Sequence, residues 1–349
     1  MNFLSKPLCF FLLSLFFVSC SSSGEDSNGP DDIADPVISE LILNYDNDIL
    51  FKGDLVTFKV TDNLGRILSY AAEFELDGVA LSGNSITLEN AGEQTLKISH
   101  EGYSQEFALK AYNSSYTQKI LIEDYTGTWC GYCPRVSYVL DDLTSSNENV
   151  IASAIHNGDI MVYQFEAQMR AAYDVGGFPW AKLNRIHRWN ESPSSLTAFL
   201  NKSPGLGLSI DSAIQGEDLN VEIGVGFDLS REDLKLVVYF QRNGMIADQA
   251  NFYNEDSSTP FYDLGNPIED FVHDHVLLSA FTDVFGDQIP SSEVGEGSVY
   301  NTSFSKSLNS LSYNADFEGD FEIVAFVLNS DGEVVNVQKA LLGESKDFD

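Results

Sequence analysis

The stretch "KILIEDYTGTWCGYCPRVSYVLDDL", residues 119–143, leaves the chain little local freedom. "KILIEDYT" (119–126) reads as a strand. Val136, Val139, Leu140 and Leu143 then recur at i, i+3, i+4 and i+7, one apolar helix face. Cys130 and Cys133 stand between them. A cysteine pair that opens a helix straight after a strand puts the first sulfur at the helix N-terminus. There, unpaired backbone N–H groups and the helix dipole stabilise a thiolate. Cys130 is the expected nucleophile. Cys133, a turn further in, is expected inside the helix, shielded and placed to resolve a mixed disulfide. Pro134 is tolerated because first-turn N–H groups have no intrahelical partner. Arg135 is expected either to assist the thiolate or to be solvated.

Strand and helix keep alternating, the grammar of an α/β layer structure. "NVIASAIH" (149–156) is a second strand, and Val162, Phe165, Met169 and Ala172 mark a second helix. "WAKLNRI" (180–186) is a third strand, and "HRW" (187–189) is left to supply a short closing partner. "SPSSLTAFLNK" offers Ser192 as N-cap, Pro193 at the first helical position and Leu196, Phe199 and Leu200 as a buried stripe.

The flanks read as β structure. In residues 37–112, Leu55, Thr57 and Lys59 alternate against Val56, Phe58 and Val60, and short strands with Gly or Asp turns follow. That pattern suggests a sandwich. Asp46-Asn47-Asp48 is read as a turn. After residue 205, "LNVEIGVGF" (219–227) and "LKLVVYF" (234–240) are strands, and "FEIVAFVLNSDGEVVNVQ" (321–338) is a hairpin around Asp331-Gly332. "GLGLS" (205–209) reads as an interdomain connector, and residues 249–305 show no assignable period. The expected organisation is a segment 1–19, a tether 20–36, a β domain 37–115, an α/β domain 116–204 and a C-terminal β-sandwich 205–349.

Residues 1–19 hold one early Lys6, an apolar run from Leu8 to Val18 and no acid, which is a secretory signal rather than a spanning helix. "FFVSC" resembles a bacterial lipobox, which implies that Cys20 is acylated after cleavage. Cys9 would leave with the signal, so Cys130 and Cys133 are the two cysteines left for chemistry. "SSSGEDSNGPDDIADP" after Cys20 is small, polar and acidic, a flexible tether. It resembles the surface-export signal of Bacteroidota lipoproteins. With 19 basic and 53 acidic residues the net charge is −34, and loss of Lys6 makes it more negative still. No basic stripe exists to displace phosphate counterions, which excludes nucleic acid. Membrane attachment must therefore come from the lipid.

"WCGYCP" between strand and amphipathic helix resembles the thioredoxin superfamily. The resemblance implies a buried carboxylate at Asp124 as proton acceptor for the resolving thiol. With Glu123 adjacent, strand alternation has one of the two acids facing outward. The resemblance further implies that Trp129 flanks the site and that "GGFP" is a cis-proline loop. Pro179 would then lie beside the sulfurs, and Phe178 would pair with an extended substrate peptide. The first β domain resembles bacterial immunoglobulin-like modules. From about residue 117, "ILIEDYTGTWCGYCPR", "GGFPWAKLNR", "HDHVLL", "GDQIP" and "IVAFVLNSDGEVVNVQKALLGE" together resemble the twenty-eight-kilodalton outer-membrane-protein family of Bacteroidota. That implies a thioredoxin-like and a β domain on an outer-membrane lipoprotein.

One C-x-x-C supplies two of the four ligands a structural zinc needs. His273 and His275 alternate on one face and His156 stands elsewhere, so no metal is expected, and no cofactor. Two functions remain. One is a cell-envelope thiol–disulfide oxidoreductase acting on protein thiols and disulfides through a Cys130–Cys133 couple. The other is a surface binding or adhesion lipoprotein in which that disulfide is a staple.

Overall fold

The computed structural model describes residues 37–46, 49–311 and 320–349. The segments expected to be a signal and a tether, with Cys20, and Asn47 and Asp48 of the expected turn lie outside the described residues. What is described is a multidomain, β-rich fold with several sheets and few helices.

The first module holds β1 (Leu41–Asn44), β2 (Leu50–Phe51), β3 (Leu55–Thr57), β4 (Lys59–Asp62), β5 (Glu73–Leu76), β6 (Val79–Ala80), β7 (Ser85–Thr87), β8 (Gly92–His100) and β9 (Tyr103–Tyr112). Five of them form one sheet in the order β2-β9-β8-β5-β6, while β1 pairs β4 and β3 pairs β7. The alternation at 55–60 buries Val56, Phe58 and Val60 and exposes Leu55. The run is nevertheless broken at Phe58, whose ring stacks on Phe74 at 5.8 Å, so its two halves serve different pairs.

The central segment supplies β10 (Ile120–Thr126), α1 (Pro134–Ser146), β11 (Val150–His156), α2 (Glu166–Ala172), β12 (Trp180–Leu183), β13 (His187–Arg188) and α3 (Thr197–Leu200). β10 pairs in parallel with β11 and antiparallel with β12, and β12 carries β13 as the short closing strand. Every residue of β10 and β11 is buried, because both sheet faces are covered. Ile120 and Ile122 pack with Val136, Leu140 and Leu143 of α1, whereas Leu121 and Tyr125 pack with Met169 of α2 and with Tyr239 and Phe326. Each such aliphatic side chain contributes roughly 1.5–3 kcal/mol.

Two expected helices are shorter than their patterns. α2 begins only at Glu166, leaving Val162 and Phe165 partly exposed. Asp159 accepts the Thr128 and Met161 amides, which ties the preceding residues into a turn. Residues 193–196 form a 3-10 turn before the four residues of α3, and only Leu196 is buried. Ser192 stands at the N-cap position, but its hydroxyl meets Ser194 and no first-turn amide.

Beyond residue 205 come β14 (Leu206–Gln215), β15 (Asp218–Phe227), β16 (Lys235–Arg242), β17 (Met245–Gln249), β18 (Ile268–His273), β19 (Val276–Ala280), β20 (Asp287–Gln288), β21 (Val299–Ser307), β22 (Phe321–Leu328) and β23 (Val334–Leu341). The segment read as a connector, 205–209, is thus mostly strand. Four of these strands continue the central sheet, in the order β13-β12-β10-β11-β19-β16-β22-β23, with β20 on β16. Ala154 of β11 pairs with Val276 of β19, so the sheet runs unbroken past the expected boundary at 205. Over its far half lies the sheet β14-β15-β21, with Leu208, Ile223, Val238, Phe240 and Ile323 in the core between them.

Candidate functional site

Cys130 and Cys133 are joined as a disulfide with their Cα atoms 5.4 Å apart. The loop carrying them leaves the end of β10 and is wound by two turn bonds. The Cys130 amide donates to Gly127 O at 2.9 Å and the Cys133 amide to Cys130 O at 3.1 Å. α1 starts at Pro134, so Cys133 is the residue capping the helix and not one inside it. The extra turn comes from the loop bonds, which close before helical pairing begins. Both cysteines are buried, Cys130 with only 4 % of its surface exposed.

The back of the loop is fastened by β11 and the turn after it. Asp159 accepts the Thr128 amide at 2.8 Å and lies 2.7 Å from His156 Nδ1. Burial pushes the Asp159 carboxyl up, but the His156 contact and the two amides win and hold it below its usual range. The Trp129 indole donates to Asn157 O at 2.7 Å and packs edge-on against Phe178 at 5.2 Å. A Cβ at Gly127 would come within 2.7 Å of that indole, so only glycine fits.

Asp124 is buried on the α1 side of β10, and its Oδ1 has no hydrogen-bond partner. Burial, reinforced by the charge of Glu191 and opposed by Arg135 and Arg188, raises its pKa to about 7. Arg135 is partly exposed, and its guanidinium is engaged by a carboxylate and a phenol. It binds Glu191 through two bonds of 2.7 and 3.0 Å and the Tyr253 hydroxyl at 3.1 Å. The Phe178–Pro179 peptide bond is cis. Trp180 pairs with Tyr125, which sets Pro179 at the end of β10 from which the cysteine loop departs.

Glu123, expected to face outward if Asp124 did not, is fully buried as well. It meets Arg185 Nε at 3.1 Å and the Tyr239 hydroxyl at 2.9 Å, while Arg185 also donates to Val284 O and to the Tyr173 hydroxyl. Arg185 and Tyr239 also contact each other. His273 and His275 do not share a site. The His273 ring lies 5.3 Å from His156, with its pKa pushed down to about 4 by burial and then by His156. His275 faces Thr144 and Glu322. Among the described residues no three His, Cys, Asp or Glu side chains are grouped to hold a metal ion.

Sequence patterning missed the element that lies on the cysteine loop. The segment between β17 and β18 lies along the cysteine loop. Ala250 N–H donates to Thr128 O at 2.8 Å and Phe252 N–H to Gly131 O at 2.9 Å. The buried Gln249 amide donates to Cys130 O at 2.9 Å. Tyr132 packs edge-on against Phe252 and Tyr253, at 5.2 and 5.5 Å. A Cβ on Gly131 would stand 2.3 Å from the Phe252 ring. The only sequence hint was the density of aromatic and Asn residues in "NFYN" and "FYDLGNP".

A family model described as "Outer membrane protein Omp28" matches residues 166–346, more than half of the chain. The chain belongs to this outer-membrane-protein family. The Omp28 match begins at α2, so it includes the cis-proline loop, the segment along the cysteine loop and the far half of the sheet, while both cysteines precede it. The outer membrane is thereby its location. Among the described residues no helix is long and apolar enough to cross a membrane. A search of curated proteins returned no match. Among solved structures, HBP35 of Porphyromonas gingivalis aligns with a TM-score of 0.51 and 19 % identity, over 66 % of this chain and 76 % of that one. At that identity the likeness concerns the fold. A β-glucosidase from Kluyveromyces marxianus in complex with glucose covers 84 % of this chain and 45 % of its own, but with a TM-score of 0.20 and 10 % identity it carries no argument.

Proposed function

We propose that this Omp28-family protein is a thiol–disulfide oxidoreductase of thioredoxin type, held at the outer membrane by lipid on Cys20 and acting on protein thiols and disulfides. The observation that carries the reading is a bonded cysteine pair at a strand-to-helix junction, preceded on β10 by a buried carboxylate with one unpartnered oxygen on the side that α1 covers. In this reading Cys130 is the nucleophile and Cys133 the resolver. Asp124, poised near neutrality, takes the Cys133 proton as that thiol attacks the mixed disulfide. Trp129, Phe178 and Pro179 form the docking edge for an extended peptide. The order β11-β10-β12-β13, with the crossing helix α1, supports a thioredoxin-like core. The first module is proposed as an immunoglobulin-like spacer.

The burial of Cys130 favours a second reading, a binding protein whose disulfide is a staple. The reduction potential of the couple decides between them, measured in graded thiol buffers. A value in the range of roughly −270 to −120 mV supports exchange, whereas one well below about −300 mV marks a staple. A disulfide closing so short a loop gains little from chain entropy, which favours the first outcome.

A further inference from the structure

Resting on the thiol-exchange reading, we propose that residues 250–265 are the specificity-determining element of the centre. They form a strap that must detach from Thr128 and Gly131 before a protein thiol reaches Cys130.

Three observations support this. Cys130 is buried although its loop lies at the surface, with Trp129 and Tyr132 on either side about half exposed. The strap is fastened to the loop by the Ala250 and Phe252 amides and the packing of Phe252 and Tyr253 on Tyr132, and to α1 by the Arg135 bond to the Tyr253 hydroxyl and by Phe261 against Tyr138. Its internal bonds are a separate set. Asn251 Nδ2 donates to Phe261 O and Gly265 O, and Asn254 Oδ1 accepts the Gly265 amide. Its base is held by the β17–β18 ladder, with Gln249 opposite Ile268, and stays on the loop through the Gln249 side-chain amide that donates to Cys130 O. The strap can thus leave the cysteine loop as one body, with its own stitching and its base intact. Phe252, Tyr262 and Leu264 are about half exposed or more, so its outer surface offers an arriving polypeptide an apolar hold.

With the strap displaced, a partner thiolate attacks the Cys130 sulfur. The new S–S bond forms as the Cys130–Cys133 bond breaks, releasing the Cys133 thiolate. The partner's second thiol then displaces Cys130. The partner dithiol is oxidised by two electrons, and the cysteine pair takes up both electrons and both protons.

The test times reduction of the oxidised protein by a water-soluble phosphine, which supplies two electrons and takes oxygen from water. Phe252→Ala and Asn251→Ala should each be reduced at least tenfold faster than the wild type. Their equilibrium constant against a dithiol should change less than twofold, because a gate alters approach and return alike. Unchanged rates in both variants overturn the proposal, and so does acceleration matched by an equal change in that constant. Should circular dichroism show either variant unfolded, amide exchange in the wild type decides. Ala250 and Phe252 amides exchanging at least a hundredfold faster than that of Ile122 in β10 support a detachable strap. Exchange as slow as that of Ile122 overturns it. A staple-like potential would sink the exchange reading alone, since phosphine rates report the strap in either case.

Discussion

Glu123 and Asp124 are neighbours on β10, and their side chains point to opposite faces. Strand alternation alone sends one of them to water, yet both are buried because each face of this strand is covered. They meet different fates. Glu123 is paired with Arg185, whereas Asp124 has an oxygen with no partner and a pKa near 7. Between about pH 4 and pH 7 the folded protein therefore holds a proton on Asp124 that the unfolded chain has released. Stability from this group is greatest below the unfolded value and falls as pH rises through the folded one. Asp124→Asn should raise the unfolding free energy at pH 8 by up to about 4 kcal/mol and change it little at pH 4. Urea denaturation at the two pH values checks both the sign and the window. In thiol exchange the same variant should lose the rise in resolving rate through neutral pH, read by quenched-flow trapping of the mixed disulfide.

At the scale of elements, α1 shows why some patterns were legible. It has no side-chain cap, no acid in its first turn and no base in its last. Its stability must come from packing, the usual source for a helix of this length. The packing stripe was written in the sequence, and Val136, Leu140 and Leu143 are buried where the spacing put them. Leu140→Ala should cost about 2–5 kcal/mol in equilibrium unfolding. α2 and the 193–200 segment are shorter than their apolar spacing, because amide bonds to Asp159 and turn bonds at Ser192 win locally over that spacing. The strap was illegible for another reason. It is held by backbone groups, by Asn side chains stitching its own turns and by rings meeting Tyr132, and none of these has a period to read.

For the whole molecule, the sheet joins what the sequence appeared to divide. β19, β16, β22 and β23 continue from β11, and Arg185 ties Glu123 of β10 to Tyr239 of β16 and to Val284. A chain ending at residue 204 would expose the free edge of β11, strip Tyr239 and Phe326 from the face of Leu121 and Tyr125, and leave Glu123 and Arg185 without Tyr239 and Val284. It should not fold, whereas residues 116–349 should unfold in one transition. Circular dichroism and amide dispersion of the two fragments check this. The Glu123–Arg185 pair would keep its mutual contact but lose the buried hydrogen bonds and the cover that offset its desolvation, and that cost couples the two halves.

By itself the sequence determined whatever depends on neighbours along the chain. That includes the strand-to-helix junction bearing Cys130 and Cys133, the stripe of α1, the β character of both flanks and the acidic balance. The placement of Phe178-Pro179 came through family resemblance. Tertiary structure decided what depends on residues far apart meeting. It made one sheet of two expected domains, buried both acids of β10, turned Arg135 to Glu191 and laid residues 250–265 along the cysteine loop. The reason is physical. Periodicity records which side of a segment avoids water, but it does not record which distant segment supplies the cover.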